Sequence, residues 1–307
     1  QGASGWADVH RSSPLSPRTR FNIASVSKQF TALAVLLLAH EGRLDLQAPV
    51  GQYLPELPAA LQRPTLRQTL QHRGGFPDYI GAFEEQGLLA ATVTTAQTLA
   101  AWLAGQRQLA FEPGSAFEYS NTGYFLLGQV IERASGQSLA AFSARRIFAP
   151  LRMESTRIVS YYPIDTDELA RGWKQSQGRW VLDESSWEQT GDGQVHTTTE
   201  DMGRWLLALE RNAALPGLHG GPAIGVRTLL AGGSFEPIRE HVHPGARRTP
   251  TVRYDNGWEQ TAYFHGGGWA GYASYFMYQP APHQGAVVLC NHAGAMPRAR
   301  ALKLLRD

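Results

Sequence analysis

Ala24-Ser25-Val26-Ser27-Lys28-Gln29-Phe30, followed by TALAVLLLA from Thr31 to Ala39, is the stretch on which this chain turns. Phe30, Leu33, Ala34, Leu37 and Leu38 fall at i, i+3, i+4, i+7 and i+8, the spacing of one helical face. Val35 and Leu36 make the other face apolar too, so the helix is expected to be buried on all sides. Gly42 stands where a left-handed residue would stop it. Ser25 and Lys28 are three apart and therefore share a face, at the start of a core helix. A serine hydroxyl is a weak nucleophile until a neighbouring base takes its proton. A free lysine, with a pKa of about 10.4, is too protonated to do so. Burial disfavours the charged amine and brings the pKa down. The ordinary alternative is a capping serine followed by a lysine that reaches to solvent. Ser-x-x-Lys therefore needs partners elsewhere in the chain.

The bulk properties narrow the field. The chain has 307 residues, enough for one composite domain or two ordinary ones. Hydrophobic content of 43% with 18% charged residues reads as globular. The net charge is +2, and the compact basic clusters are only Arg145-Arg146 and Arg247-Arg248, so no nucleic-acid or lipid-headgroup patch is expected. No stretch approaches the ~18 apolar residues of a membrane span. The single Cys290 rules out an internal disulfide and a cysteine-based zinc site. It ends Gly285-Ala286-Val287-Val288-Leu289-Cys290, a strand-like run, and is expected to be a packed thiol. The sequence opens on Gln1 in strand-like surroundings, which suggests that the native N-terminus is missing.

Along the chain, Gly5 to Val9 reads as a strand and Ser12 to Thr19 as a loop. Leu44 to Leu61 is broken by Pro49, Pro55 and Pro58. Short helices are expected over Thr65 to Gln71, after Thr94 or Thr95, from Tyr124 to Gly136, and from Leu139 to Phe148. Thr197-x-x-Glu200 reads as a capping box before a helix carrying Met202, Trp205, Leu206 and Leu209. From Thr251 the pattern becomes strand-turn-strand: Val252 to Trp258, Gln260 to His265, Tyr272 to Tyr278 and Ala286 to Cys290. Short connections between these strands argue for an antiparallel sheet. A final helix, Pro297 to Arg306, is expected to turn Ala301, Leu304 and Leu305 inward.

Two further stretches carry chemistry. Tyr119-Ser120-Asn121 offers a phenol and an amide after a turn; a phenol beside an ammonium is expected to have a lowered pKa and to relay protons. In His265-Gly266-Gly267-Gly268, glycine N–H groups are able to face an oxyanion and let a substrate approach the strand. Gly266-x-Gly268-x-x-Gly271 also matches a dinucleotide fingerprint, but a strand follows it where a helix is required. His241-x-His243 is the one pair with metal-ligand spacing, and no further ligand cluster supports it.

Taken together and in this order, the three motifs resemble those of the serine β-lactamase and penicillin-binding-protein family, in its class C-like branch. That branch includes family VIII esterases and D-stereospecific peptidases and amidases. The resemblance covers almost the whole chain. It implies an α/β (α+β type) fold of the β-lactamase/transpeptidase kind: an antiparallel sheet flanked by helices, plus a mostly helical domain. Residues 1–22 with 225–307 would form the sheet domain and 23–224 the helical one, with the site between them. Ser25 would be the acylated nucleophile, with Lys28 and Tyr119 sharing its proton. Asn121 would orient substrate and Lys28, and His265 would stand where the family often has lysine. The Ser25 and Gly268 N–H groups would form the oxyanion hole, with Gly267 beside them on the substrate-binding strand. Gly266 replaces the usual Thr or Ser that helps to hold a substrate carboxylate, which turns the expectation from β-lactams towards small esters and peptide-like amides. A penicillin-binding protein, a β-lactamase proper or a non-catalytic ligand-binding homologue is the alternative. No cofactor and no metal are expected. Export to the periplasm or outside the cell fits the resemblance, and the lone cysteine is compatible with the cytoplasm as well.

Overall fold

The computed structural model describes residues 1–8, 13–88, 92–160, 169–218, 224–233 and 262–306. In chain order the strands are β1 (Trp6–Asp8), β2 (Ser13–Pro14), β3 (Phe21–Asn22), β4 (Arg157–Ile158), β5 (Trp173–Ser176), β6 (Arg179–Leu182), β7 (Val195–Thr197), β8 (Tyr263–Trp269), β9 (Tyr272–Gln279) and β10 (Gln284–Cys290). The helices are α1 (Lys28–His40), α2 (Ala59–Gln62), α3 (Leu66–Leu70), α4 (Tyr79–Glu85), α5 (Ala96–Ala104), α6 (Asn121–Ser135), α7 (Leu139–Ser143), α8 (Thr199–Glu210), α9 (Val226–Gly233) and α10 (Pro297–Leu304). No helix among the described residues is long and apolar enough to cross a membrane.

The central element is α1. Every residue from Lys28 to Leu38 is buried, as its all-round apolar pattern requires. It packs against α6, α7 and α9. Phe30 meets Phe148 edge-on with ring centroids 5.3 Å apart, and Trp205 of α8 at 4.8 Å. The Trp205 indole N–H donates to Gln29 Oε1 at 2.6 Å, so the polar groups on this buried helix are paired. Gly42 adopts φ +72° just past the helix end, and the Arg43 N–H closes onto the Leu38 carbonyl.

Strands β8, β9 and β10 form an antiparallel meander in spatial order β10-β9-β8. The register pairs His265 with Phe276, Gly267 with Ser274 and Gly268 with Ala273. Both faces of β9 are covered from Tyr272 to Phe276, in agreement with its unbroken apolar pattern. A second small sheet, β3-β7-β4, carries the chain into the turn before α1. Near the N-terminus, Asn291 at the end of β10 donates through Nδ2 to the Trp6 carbonyl at 3.0 Å.

Several local expectations are adjusted by the structure: α6 begins at Asn121, ahead of Tyr124, and Ser13–Pro14 forms β2 inside the expected loop. The cap of α8 is Thr198, which accepts from the Asp201 N–H, because Thr197 is consumed in β7. Leu304 of α10 is exposed while Ala301 is fully buried; the short helix rests on the sheet by a narrow stripe. Cys290 is half-buried rather than packed away, although burial still raises its thiol pKa. Between Tyr161 and Gly191 the sequence reads mostly as loop with a strand-like piece at Arg179 to Leu182; that piece is β6, and Trp173–Ser176 pairs with it as β5. The expected Val252 to Trp258 strand and the His241-x-His243 pair lie outside the described residues.

Candidate active site

Ser25 does not open the α-helix. It sits in a 3-10 turn, Ala24–Ser27, and α1 begins at Lys28. Ala24 takes φ +48°, unusual for a residue with a side chain. The surroundings hold it there. Its N–H donates to Asn22 Oδ1 at 2.8 Å, and the Ile23 carbonyl accepts from Ser274 Oγ at 2.8 Å. Ser27 Oγ accepts from the Val195 N–H at 3.1 Å. The turn is thus clamped between β7 and β9.

Gly267 makes this clamp possible. A Cβ there would lie 2.3 Å from the Ile23 carbonyl oxygen and 2.3 Å from Ser274 Oγ. Only a glycine lets β8 pass so close to the nucleophile turn. Its place is therefore against the turn, and it does not line the cleft described below.

Lys28 is fully buried, one turn beyond Ser25. Its Nζ donates to Ser25 Oγ at 3.2 Å, to Asn121 Oδ1 at 2.9 Å and to the Asp192 carbonyl at 2.7 Å. Burial brings its pKa down to about 8, against the opposing pull of Asp192 and Asp78. Asn121, the first residue of α6, is oriented by Asp78. That carboxylate accepts from the Asn121 backbone N–H at 2.9 Å and from Nδ2 at 3.1 Å, which turns Oδ1 towards Lys28. Asp192 is also buried, and its Oδ2 accepts from the Tyr79 hydroxyl at 2.7 Å. Burial raises the Asp192 pKa despite Lys28 nearby. In sequence, Asp78 and Asp192 lie in stretches that could rim a cleft, but turn chemistry explains both as well. Their long-range partners, 43 and 113 positions away, are what make them part of the site.

Tyr119 lies against Lys28, with Nζ 4.9 Å from its ring centroid. Its hydroxyl is buried beside Ser25, close enough for the serine to favour ionisation, but without hydrogen-bond geometry. The sequence suggested a phenol with a lowered pKa. Instead burial pushes it well above its ordinary value, because loss of solvent outweighs the help from Ser25. Tyr119 is therefore a neutral phenol. His72, which the sequence did not single out, stacks on it with centroids 4.5 Å apart and accepts the Ser120 N–H at Nδ1 at 3.1 Å.

His265 is buried in β8, its ring 5.9 Å from that of Tyr119. Burial, reinforced by Lys28, lowers its pKa to about 3, so it is a neutral imidazole. Nδ1 bears the proton and donates to the Gly266 carbonyl, and Nε2 is buried without a hydrogen-bond partner. Gly268 is exposed and lines the cleft together with Ser25 and Asn121. The cleft is open to solvent, spans about 400 Å³ with that open space included, and has an aromatic wall of Tyr79, Trp187 and Trp269. The structure thus brings Ser25, Lys28, Tyr119, Asn121 and His265 together, with Gly268 at the cleft. Among the described residues no group of His, Cys, Asp or Glu is arranged to hold a metal ion.

The family model described as Beta-lactamase aligns with residues 1–307. The chain belongs to the Beta-lactamase family. A penicillin-binding protein of Bacillus subtilis (strain 168) is 30% identical over 294 residues, 88% of this chain and 60% of that protein. The chain thus spans somewhat less than two thirds of that relative's length. Among solved structures, the octameric penicillin-binding protein homologue from Pyrococcus abyssi superposes with a TM-score of 0.80 at 25% identity, covering 98% of this chain and 68% of that one. The D-amino acid amidase from Ochrobactrum anthropi SV3, complexed with L-phenylalanine amide, gives 0.74 at 25% identity over 99% of this chain and 89% of that one. Membership of the Beta-lactamase family accounts for the mixed α/β architecture with antiparallel sheets that the motifs led one to expect.

Proposed function

We propose that this protein is a serine hydrolase that works through an acyl-enzyme on small esters or peptide-like amides. The observation that carries the reading is the lysine contact: a buried amine, brought down to about 8, at 3.2 Å from the Ser25 hydroxyl. At neutral pH roughly a tenth of such an amine is unprotonated. Its two remaining protons go to fixed acceptors, Asn121 Oδ1 and the Asp192 carbonyl, which leaves the lone pair for the Ser25 proton. Ser25 Oγ attacks the substrate carbonyl carbon as Lys28 takes that proton. The carbonyl oxygen becomes an oxyanion, received by the N–H groups of Ser25 and Gly268. Collapse breaks the bond to the leaving group. Lys28 returns the proton to it, with the neutral Tyr119 phenol beside Ser25 able to relay the transfer. Water then attacks the acyl carbon as Lys28 takes its proton, and Ser25 leaves with that proton returned by Lys28.

One feature supports the division into a sheet domain (1–22 with 225–307) and a helical domain (23–224). The cleft takes Ser25 and Asn121 from one part and Gly268 and Trp269 from the other. The name of the amidase neighbour supports amides as one substrate class. The test is intact-protein mass after a fluorophosphonate probe, with Ser25→Ala beside wild type, followed by hydrolysis of p-nitrophenyl esters and p-nitroanilides. A probe adduct and turnover confined to wild type are expected. Full activity in Ser25→Ala would refute the reading. A penicillin adduct that persists without product would favour the second reading, a penicillin-binding receptor, which the Bacillus relative's name motivates.

A further inference from the structure

The charges around Ser25 do not balance in the way a site for anionic substrates would need. Lys28 spends its three hydrogen bonds on neutral acceptors, and no carboxylate oxygen touches it. Asp78 is engaged with Asn121. Asp192 is 7% exposed, and no basic side chain pairs with it among the described residues. His72 and His265 are both held neutral by burial. Two carboxylates, the half-buried Asp78 and the buried Asp192, thus face one lysine, and that lysine has to be neutral before it can act as base. Among the described residues, those lining the cleft include no arginine or lysine.

A second, independent observation lies in the same wall. Gln189 is 3% exposed and lines the cleft with Asp192, Tyr79 and Trp187. Among the described residues neither its Oε1 nor its Nε2 has a partner in hydrogen-bond geometry, although the amide lies close enough to the Tyr79 hydroxyl to favour its ionisation. The other cleft amides are engaged: Asn22 Nδ2 donates to Gln194 Oε1 at 3.1 Å, and Asn121 joins Asp78 to Lys28. A buried amide with both ends unpaired is costly, and in a cleft it calls for a ligand group.

We propose that Asp192 and Gln189 form a subsite for a protonated primary amine on the acyl residue of the substrate. The Asp192 carboxylate takes the charge while its Oδ2 keeps the Tyr79 hydrogen bond, and Gln189 Oε1 accepts one ammonium N–H. An ion pair here offsets the cost of keeping the carboxylate out of water. The aromatic wall receives the side chain of the same residue. The substrate class is then aminoacyl amides and esters with a free amine, in preference to N-acylated or carboxylate-bearing acyl groups. This inference rests on the serine-hydrolase reading and narrows it.

The experiment is protection of Ser25 from the fluorophosphonate by small ligands: alaninamide of either hand, N-acetylalaninamide and propionamide. In wild type, one enantiomer of alaninamide is expected to slow labelling at a concentration at least about tenfold below that of propionamide or the N-acetyl compound, the scale of one charged hydrogen bond. In Asp192→Asn that gap closes, and in Gln189→Leu it narrows; the wild-type comparison stands alone where a variant does not fold. Equal protection by alaninamide and propionamide overturns the subsite, as does no protection by alaninamide up to its solubility limit. Both outcomes leave the hydrolase reading intact. Wild type that takes up no probe refutes the hydrolase reading itself and the subsite with it.

Discussion

Replacing Asp78 by asparagine tests whether the site depends on an orientation imposed from behind. Asp78 is a positioning residue: it touches Asn121, and Asn121 touches Lys28. The carboxylate accepts from the Asn121 backbone N–H at 2.9 Å, and from Nδ2 at 3.1 Å through Oδ1 and at 3.3 Å through Oδ2. In Asp78→Asn one oxygen becomes an NH2 group and opposes the Asn121 Nδ2 donor. The relief is a flip of the Asn121 amide, which turns a donor towards Lys28 Nζ in place of the acceptor now at 2.9 Å. A lost hydrogen bond to a charged group costs about 1.5–3 kcal/mol, or about 10–150-fold in kcat/KM if the whole cost falls on the transition state. The pH profile carries a second signature. In wild type, kcat/KM should rise with pH and level off above an inflection near 8, as Lys28 loses its proton. Asp78 is one of two carboxylates that hold this value up, so its neutralisation should move the inflection to lower pH. Steady-state kinetics from pH 5.5 to 9.5 on Asp78→Asn, Asn121→Ala and the double variant would measure both effects (pH values of about this span bracket the inflection). If Asp78 works through Asn121, the double variant should be little worse than Asn121→Ala alone. A kcat/KM within about twofold of wild type together with an unmoved inflection would refute the reasoning.

Gly267→Ala should lower stability by about 1–3 kcal/mol, a few degrees in Tm, because the methyl group would sit 2.3 Å from two oxygens. Activity should fall with it, since β8 has to withdraw from the nucleophile turn; a thermal melt matching wild type would count against the clamp. Acid should also weaken the fold. His196 and His265 are kept neutral, with pKa values of about 4 and about 3 against 6.5 for the ordinary side chain. Between about pH 4 and 6.5 the unfolded chain binds the extra protons, so stability falls as pH drops, by about 1.4 kcal/mol per pH unit for each histidine. Denaturant titrations across that window should show the slope, reduced in His196→Gln; a flat profile would mean that these imidazoles are charged in the native state.

Much of this arrangement was written in local sequence. The all-apolar face pattern of Thr31 to Ala39 made α1 a buried helix, and the closely spaced strands after Tyr263 made an antiparallel meander. The three motifs pointed to Ser25, Lys28, Tyr119, Asn121 and His265 by residue type and spacing. Gln189 and His72 escaped, and Asp78 and Asp192 stayed ambiguous between cleft and turn, because each has an ordinary local explanation and acquires its role only from groups far away in the chain. Period and motif describe neighbours in sequence; they carry no information about which buried side chain is left without a hydrogen bond.

The sequence by itself determined which chemistry the chain carries: a serine, an amine and a phenol in a family-typical order, on elements whose periodicity dictates how they bury. Tertiary structure alone decided the protonation states. Lys28 and Tyr119 are both placed out of water, and burial penalises whichever form is charged, so the same environment makes the lysine a weaker cation and the tyrosine a weaker acid. Desolvation depends on the number of atoms packed around a group in three dimensions, a quantity that the order of residues along the chain does not contain.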